Sequence, residues 1–176
     1  LIEAVGGRHD VRELTFSELQ EIDVGDGQRI PPIEMVLERL AGRCPLVLDV
    51  KCSGVAPVLA GLLKVLGIAA GVHVASFLHQ ELTQMGRLAP GVARSLTLAA
   101  PLPHMEQLCR DLGVRTVSLG RSYVTEALVR RLREAGIGVR AYTVNVPKEA
   151  KVFASWGLEA IYTDDPAAMQ PLRRRA

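Results

Sequence analysis

The chain has 176 residues, 48% of them hydrophobic, and 21 Lys and Arg against 19 Asp and Glu give a formal net charge of +2. This length supports one hydrophobic core, and the balanced charge argues against a disordered chain and against a nucleic-acid-binding surface. The longest apolar candidate, residues 55–74, is interrupted by Lys64, so we expect no membrane-spanning helix of ~20 residues. Three cysteines without disulfide or zinc spacing are typical of a reducing compartment, and we expect a cytoplasmic protein.

The first 45 residues are predicted to form helices and turns but no strand. Thr15 and Glu18 have the spacing of a capping box, and the apolar stripe of residues 33–40 follows two prolines, which is typical of a helix start. His9 and Asp10 fall in a glycine-rich stretch that we interpret as an exposed loop. At the other end of the chain, the arginines at 173–175 are interpreted as a solvated helix end.

From residue 46 onward, short runs rich in Val, Ile and Leu alternate with helix-like segments. The predicted strands are residues 46–50, 72–77, 93–99, 114–120, 138–144 and 159–163. Their centres, which are 21 to 28 residues apart, are Val47, Ala75, Leu96, Val117, Ala141 and Tyr162. This is the period of a βα unit with a parallel sheet.

Helix ends between these strands agree with that reading. Thr125 and Gly136 are a predicted cap and a predicted end of one helix, while Asn145 with Pro147 and Pro166 begin two others. Six βα units fit an open doubly wound sheet or most of an eight-unit TIM-type (β/α) barrel. A barrel usually has ~250 residues, and two further units of about 25 to 35 residues each would bring this chain close to that length. The length therefore favours the barrel. No linker divides the chain, and we predict a single domain over 1–176.

The clearest candidate site is the pair Asp49 and Lys51, which ends the apolar run of residues 46–51. Side chains alternate along a strand, so both residues face the same side, and the carboxyl end of a barrel strand opens into the ligand site. Charges buried at such a position are costly unless they are paired or used. The pair is either a carboxylate beside a phosphate-binding ammonium or a structural ion pair, and we favour the first.

Later strand ends carry further polar residues. Tyr142 could form the wall of a substrate pocket, whereas Asn145 could contact a ligand or cap the helix that follows. Residues 163–165 are typical of a turn and a helix cap. Among the histidines, His79 follows a strand end and could reach the pocket, but the default for it, as for His73 and His104, is a structural or surface histidine.

Taken in order, these segments resemble the glycerophosphodiester phosphodiesterase family. Residues 1–30 are similar to the loop and short helix inserted after the family's second strand, and residues 30–40 to its proline-led helix. LVLDVK matches the family's E-x-K strand, ASF its S-F strand end, AYTVN its W-T-V-N strand, and GLEAIYTDDP its closing G-V-D-G-I-x-T-D-x-P. The resemblance covers nearly the whole chain but only the later three quarters of the family domain.

The resemblance implies a TIM barrel that hydrolyses glycerophosphodiesters to glycerol 3-phosphate and an alcohol with a divalent cation, Mg²⁺ or Ca²⁺. Asp49 would be a metal ligand, Lys51 would stabilise the phosphate, and Tyr142 and Asn145 would bind substrate. The family's two histidine motifs and its E-x-D metal pair have no match in this chain, and His9 does not replace them. They would belong to two barrel strands before Leu1, so we expect this piece alone to be inactive.

Two departures from the family pattern favour alternatives. Asp49 stands where the family has glutamate and Tyr142 where it has tryptophan, which suits a non-catalytic barrel that acts as a binding module. A third hypothesis is a barrel of the orotidine monophosphate decarboxylase type, whose D-x-K-x-x-D motif would require a second aspartate where Gly54 stands. We expect a small-molecule phosphodiester as the partner, and no oligomeric state follows from the sequence.

Overall fold

The computed structural model describes residues 2–4 and 7–172. The predicted helix end at 173–175 lies outside these residues. The chain divides into two compact units, Leu1–Cys44 and Pro45–Ala176. The single domain expected over residues 1–176 stays a prediction.

The first unit contains a short hairpin followed by helices. Its elements are strands β1 (Ile2–Ala4) and β2 (Gly7–His9), a 3₁₀ turn at Val11–Glu13, and helices α1 (Phe16–Glu21) and α2 (Ile33–Leu40). The predicted capping box is confirmed, because Thr15 Oγ1 accepts a hydrogen bond from the Glu18 amide at 3.3 Å and Glu18 Oε2 accepts one from the Thr15 amide at 2.7 Å. The expectation of no strand here was wrong, since β1 and β2 pair antiparallel. Three-residue strands are too short to show a period of two.

The second unit alternates strands and helices. Its elements are β3 (Leu46–Val50), α3 (Val55–Val65), β4 (Val72–Ser76), α4 (His79–Leu88), β5 (Ala93–Leu98), α5 (Met105–Leu112), β6 (Thr116–Gly120), a 3₁₀ turn at Arg121–Tyr123, α6 (Glu126–Glu134), β7 (Gly138–Tyr142), α7 (Pro147–Trp156), β8 (Ala160–Ile161), α8 (Pro166–Met169) and a 3₁₀ turn at Gln170–Leu172. The strands pair in parallel in the order β3-β4-β5-β6-β7-β8. They form a half-barrel, which confirms the predicted fold class.

Alternation along the strands separates the core from the concave side of the sheet. Apolar positions such as Leu96, Val117 and Val139 are fully buried in the cluster that also contains the inner faces of α4 to α7. The residues between them are polar, for example Thr97 and Ser118, and line a cavity instead. On β5 and β6, one face therefore packs against the helices and the other face presents hydroxyl groups to the cavity.

Helix caps of the kind predicted from the sequence are present in this unit. Thr125 Oγ1 accepts from the amide of Leu128 and begins α6, and Asp165 Oδ1 accepts from the amide of Ala168 and begins α8. Gly157 ends α7 with a φ of 86°, a left-handed conformation that glycine adopts without strain. Across 2–4 and 7–172, no helix has both the length and the apolar composition needed to cross a membrane.

Candidate functional site

A cavity of about 210 Å³ opens where the strands of the half-barrel end. Its lining comes from six strands or the residues that follow them, and consists of Asp49, Lys51, Phe77, Thr97, Ser118, Tyr142, Thr143 and Tyr162. Two larger cavities, of about 520 and 510 Å³, lie away from this edge, one beside the carboxyl ends of α5 and α6 and one beside α7 and α8. In barrels, the carboxyl ends of the strands carry the ligand site, so the smaller cavity is the functional candidate.

The two charged residues of the cavity form an ion pair. Lys51 Nζ lies 2.5 Å from Asp49 Oδ2, with 61% of the lysine side chain and 40% of the aspartate side chain exposed. The expected shared orientation is confirmed, and solvent reaches the pair in the described half-barrel, where β3 is an edge strand. An exposed pair contributes little to stability. The Lys51 ammonium therefore remains accessible to an anion.

Three aromatic rings form one wall of the cavity. The Tyr142 ring makes edge contacts with Phe77 and Tyr162, at centroid distances of 6.3 and 6.4 Å. Tyr142 Oη donates a hydrogen bond to Leu98 O at 2.9 Å, and burial together with the nearby Asp49 charge raises the pKa of Tyr142. The Lys51 ammonium lies 5.0 Å from the centroid of Phe77, within reach of a cation–π contact. Tyr142 thus lies in the cavity wall, and its contact with a substrate stays a prediction.

The cavity also contains hydroxyl groups that the sequence reasoning missed. Thr97 and Ser118 lie on the concave side of β5 and β6, and the Ser118 and Tyr162 hydroxyl oxygens are 3.2 Å apart. The Tyr142–Thr143 peptide bond at the same edge is cis. The sequence carried a signal for these two hydroxyl residues, because β5 (ARSLTL) and β6 (TVSLG) both alternate hydroxyl and apolar residues. These hydroxyls can donate hydrogen bonds to an oxyanion.

Asn145 lies outside the cavity lining and connects two loops. Its Oδ1 accepts hydrogen bonds from Thr163 Oγ1 at 3.0 Å and the Asp164 amide at 2.9 Å, and its Nδ2 donates to Asp164 Oδ2 at 2.8 Å. The alternative in which it caps the next helix was wrong, because Val146 is the cap of α7 and no side chain bonds there. The substrate contact expected of Asn145 stays untested, and its position outside the cavity lining favours a structural role.

The loop that follows Lys51 is fixed by a buried carboxylate. Glu81 on α4 is fully buried, and its two oxygens accept hydrogen bonds from the amides of Gly54 at 2.8 Å and Ala56 at 2.7 Å. Gly54 has a φ of 83° and is the cap of α3. A side chain at this position would be strained, which disfavours the second aspartate of a D-x-K-x-x-D motif.

No histidine is among the described residues that line this cavity. His79 is the first residue of α4, His104 is the cap of α5, and both are exposed. His73 is partly buried on β4, where burial and the Arg140 charge lower its pKa to about 4. The expectation that these three are structural or surface histidines agrees with these positions, and the cavity lining therefore lacks an imidazole acid or base.

The cavity lining also offers few groups for a cation. Asp49 is its sole carboxylate, and within residues 2–4 and 7–172 no cluster of three or more His, Cys, Asp or Glu side chains could hold a metal ion. Ca²⁺ takes about six to eight oxygen ligands, and Mg²⁺ is held by one or two carboxylates together with waters and substrate phosphates. The described residues alone do not provide enough ligands to hold a divalent cation.

Comparisons with known proteins connect this cavity to one family. A sequence model of the glycerophosphoryl diester phosphodiesterase family matches residues 47–168. The Bacillus subtilis protein YhdW, itself only provisionally assigned as a glycerophosphodiester phosphodiesterase, is 24% identical over 173 residues, covering 89% of this chain and 70% of that protein.

Solved structures with the same fold also belong to phosphodiesterases. An Oleispira antarctica phosphodiesterase in complex with its product sn-glycerol-3-phosphate has a TM-score of 0.82 at 21% identity, covering 96% of this chain and 73% of that one. A Thermotoga maritima glycerophosphodiester phosphodiesterase has a TM-score of 0.76 at 17% identity, with coverages of 93% and 71%. At these identities the likeness shows the fold, a TIM barrel.

Proposed function

The chain belongs to the glycerophosphoryl diester phosphodiesterase family, a family of phosphoric diester hydrolases, and on this premise we propose that its cavity binds the phosphate of a glycerophosphodiester. The reaction proposed is hydrolysis to glycerol 3-phosphate and an alcohol. The cytoplasmic location stays a prediction, and from the proposed reaction we also predict a role in glycerol and lipid metabolism.

The observation that carries the proposal is the accessible Lys51 ammonium at the cavity. It lies 2.5 Å from Asp49 Oδ2 and 5.0 Å from the Phe77 ring centroid, so two partners restrict its position while 61% of the side chain remains exposed. A fixed ammonium stabilises the negative charge of a phosphodiester, and more so the charge of the transition state. Thr97 and Ser118 add hydroxyl donors from the cavity lining.

Cleavage of the P–O bond needs more than this set of groups. An acid must protonate the leaving alkoxide and a base must accept the proton of the nucleophile, and the cavity lining contains neither a histidine nor a second carboxylate. We therefore propose that the 176-residue chain binds the diester without hydrolysing it, and that turnover requires acid and base groups beyond the described residues. Asp49 as a ligand of Mg²⁺ or Ca²⁺ stays a prediction.

A second candidate function is favoured by the same sparse lining. Among the described residues, a single carboxylate and no imidazole line the cavity. This lining also agrees with a family member that binds a phosphodiester and does not cleave it. The two functions differ in whether a protein that carries the whole site releases glycerol 3-phosphate.

The test uses ³¹P NMR of sn-glycero-3-phosphocholine with the 176-residue chain and with a longer form in which the first two barrel strands of a family member, with both histidine motifs, are joined to it. The proposal expects line broadening with both proteins and a new glycerol 3-phosphate signal with the longer one alone. Broadening without product from the longer form would support the binding module. Product from the 176-residue chain would contradict the inference that groups are missing, and unchanged linewidths would contradict the phosphate site.

A further inference from the structure

One buried hydroxyl group lies where β3 and β4 stop pairing. Val50 and Ser76 are the last paired residues of these two strands. Ser76 is fully buried, and its Oγ donates a hydrogen bond to Val50 O at 2.7 Å and accepts one from the Leu78 amide at 3.0 Å. A serine hydroxyl has a single proton to donate, and here the proton goes to Val50. This one side chain therefore connects the ends of both strands.

The two main-chain segments that Ser76 connects both carry residues of the cavity. Val50 directly precedes Lys51, and Leu78 directly follows Phe77. Lys51 and Phe77 line the cavity together, and the Lys51 ammonium lies over the Phe77 ring at 5.0 Å from its centroid. The Ser76 hydroxyl thus fixes the main chain beside each member of this cation–π contact.

Ser76 does not reach the cavity itself. Its side chain has no exposed surface and is not among the described residues that line the cavity. Both of its hydrogen bonds go to main-chain atoms. An effect of this hydroxyl on a bound ligand must therefore pass through the residues that it holds in place, Lys51 and Phe77.

The loop after Lys51 has a second attachment, but that attachment lies farther along the chain. The Glu81 carboxylate accepts hydrogen bonds from the amides of Gly54 and Ala56, so it fixes the start of α3. Ser76 instead bonds to the residue directly before Lys51. The two side chains hold opposite ends of the same loop, and Ser76 holds the end that carries the ammonium.

We infer that Ser76 is a positioning residue of the phosphate site, which holds the Lys51 ammonium over the Phe77 ring. Without the hydroxyl, Val50 O and the Leu78 amide lose a shared partner, and the ends of β3 and β4 are less firmly joined. The ammonium then occupies its place at the cavity for a smaller fraction of the time. The expected effect on affinity rests on the proposed function, because it assumes that the cavity binds a phosphate.

The position of Lys51 can be measured by NMR without any ligand. Protons above an aromatic ring resonate upfield, so the Lys51 ε-methylene signal, identified by its loss in Lys51→Arg, should lie upfield of the signals of the other lysines. In Ser76→Ala it should move towards those signals. In Ser76→Cys, whose thiol is a weaker donor of similar shape, it should move less far.

Affinity for sn-glycerol 3-phosphate, followed by ³¹P NMR titration, is the second measurement. Ser76→Ala should weaken binding by about fivefold, the amount that one hydrogen bond typically contributes. Thr125→Ala is the matched control, because it also removes a hydroxyl that bonds to the main chain, at the start of α6 and outside the cavity lining. This control should leave both the Lys51 signal and the affinity unchanged.

Circular dichroism checks that each variant folds, and Ser76→Cys decides the matter if Ser76→Ala does not. A Lys51 signal that is not upfield in the parent, or that the Ser76 variants leave in place, would overturn the inference. Unchanged affinity despite a displaced signal would also overturn it. If the parent does not bind sn-glycerol 3-phosphate, the proposed function fails, and the Lys51 signal still decides whether Ser76 positions the ammonium.

Discussion

Asp49 Oδ2 and Lys51 Nζ lie 2.5 Å apart at the end of β3, and both side chains are substantially exposed. In water two unit charges at 4 Å attract each other by only about 1 kcal/mol. A phosphate can therefore share or displace the aspartate at little cost. The pair restricts where the ammonium lies, beside Phe77 and the cavity, without removing it from solvent.

The buried Glu81 carboxylate should stabilise the loop after Lys51. Glu81→Ala leaves the Gly54 and Ala56 amides without their acceptor, and we expect the free energy of unfolding to fall by about 3 kcal/mol in urea denaturation. Glu81→Gln keeps one acceptor oxygen and should lose about half as much. Exposed Glu134 on α6 is the control, and Glu134→Ala should change stability by less than about 0.5 kcal/mol. A Glu81→Ala protein as stable as that control would contradict this role.

His73 should make stability depend on pH in the acid range. Burial and then the Arg140 charge lower its pKa to about 4, against about 6.5 in an unfolded chain. The unfolded state binds the proton first, so stability is complete above the unfolded pKa and falls as the pH drops from about 6.5 towards 4.

The melting temperature of parent and His73→Gln proteins, followed over that interval, measures this effect. The parent should lose more, because His73 is present in the parent alone and the other ionisable groups are the same in both proteins. Parallel curves would show that His73 is not the group responsible.

A variant at Asn145 distinguishes a structural role of this side chain from a role in substrate binding. Asn145→Ala removes the three hydrogen bonds to Thr163 and Asp164, and we expect a loss of about 1 to 2 kcal/mol in unfolding free energy. Affinity for glycerol 3-phosphate should fall by less than about threefold, roughly 0.6 kcal/mol, because Asn145 is outside the cavity lining. Gln107→Ala, at an exposed position on α5, is the control variant. A loss of affinity above about tenfold would instead support the predicted substrate contact.

The strands of the half-barrel were predictable because buried parallel strands appear as apolar runs with a regular spacing. Leu46–Val50 has the predicted bounds, and Val72–Ser76 differs by one residue. Ala160–Ile161 is shorter than predicted because only two residues pair with β7. That pairing depends on the backbone of another strand, which the local sequence does not contain.

The charged part of the site was predictable, whereas the sequence carried only a weak signal for the hydroxyl part. Asp49 and Lys51 interrupt an apolar run, which is a strong local signal. Thr97 and Ser118 are ordinary strand residues, and they acquire a role only when the sheet curves and brings them into one cavity.

Divalent cations should not bind the 176-residue chain measurably. The cavity lining has one carboxylate, and Ca²⁺ or Mg²⁺ at about 1 mM should leave the melting temperature unchanged, because even weak protein sites combine several oxygen ligands. Differential scanning fluorimetry with and without EDTA is the measurement. A rise in melting temperature with Ca²⁺ that Asp49→Asn abolishes would contradict this expectation and support Asp49 as a metal ligand.

Binding of sn-glycerol 3-phosphate to the Lys51→Met variant, measured by isothermal titration calorimetry, tests the central claim most directly. Loss of a charge-assisted hydrogen bond costs about 1.5 to 3 kcal/mol, so affinity should fall by about tenfold or more. Lys64→Met, which changes an exposed lysine on α3, should bind like the parent. Equal affinity in Lys51→Met and the parent would contradict the assignment of Lys51 as the phosphate-binding group.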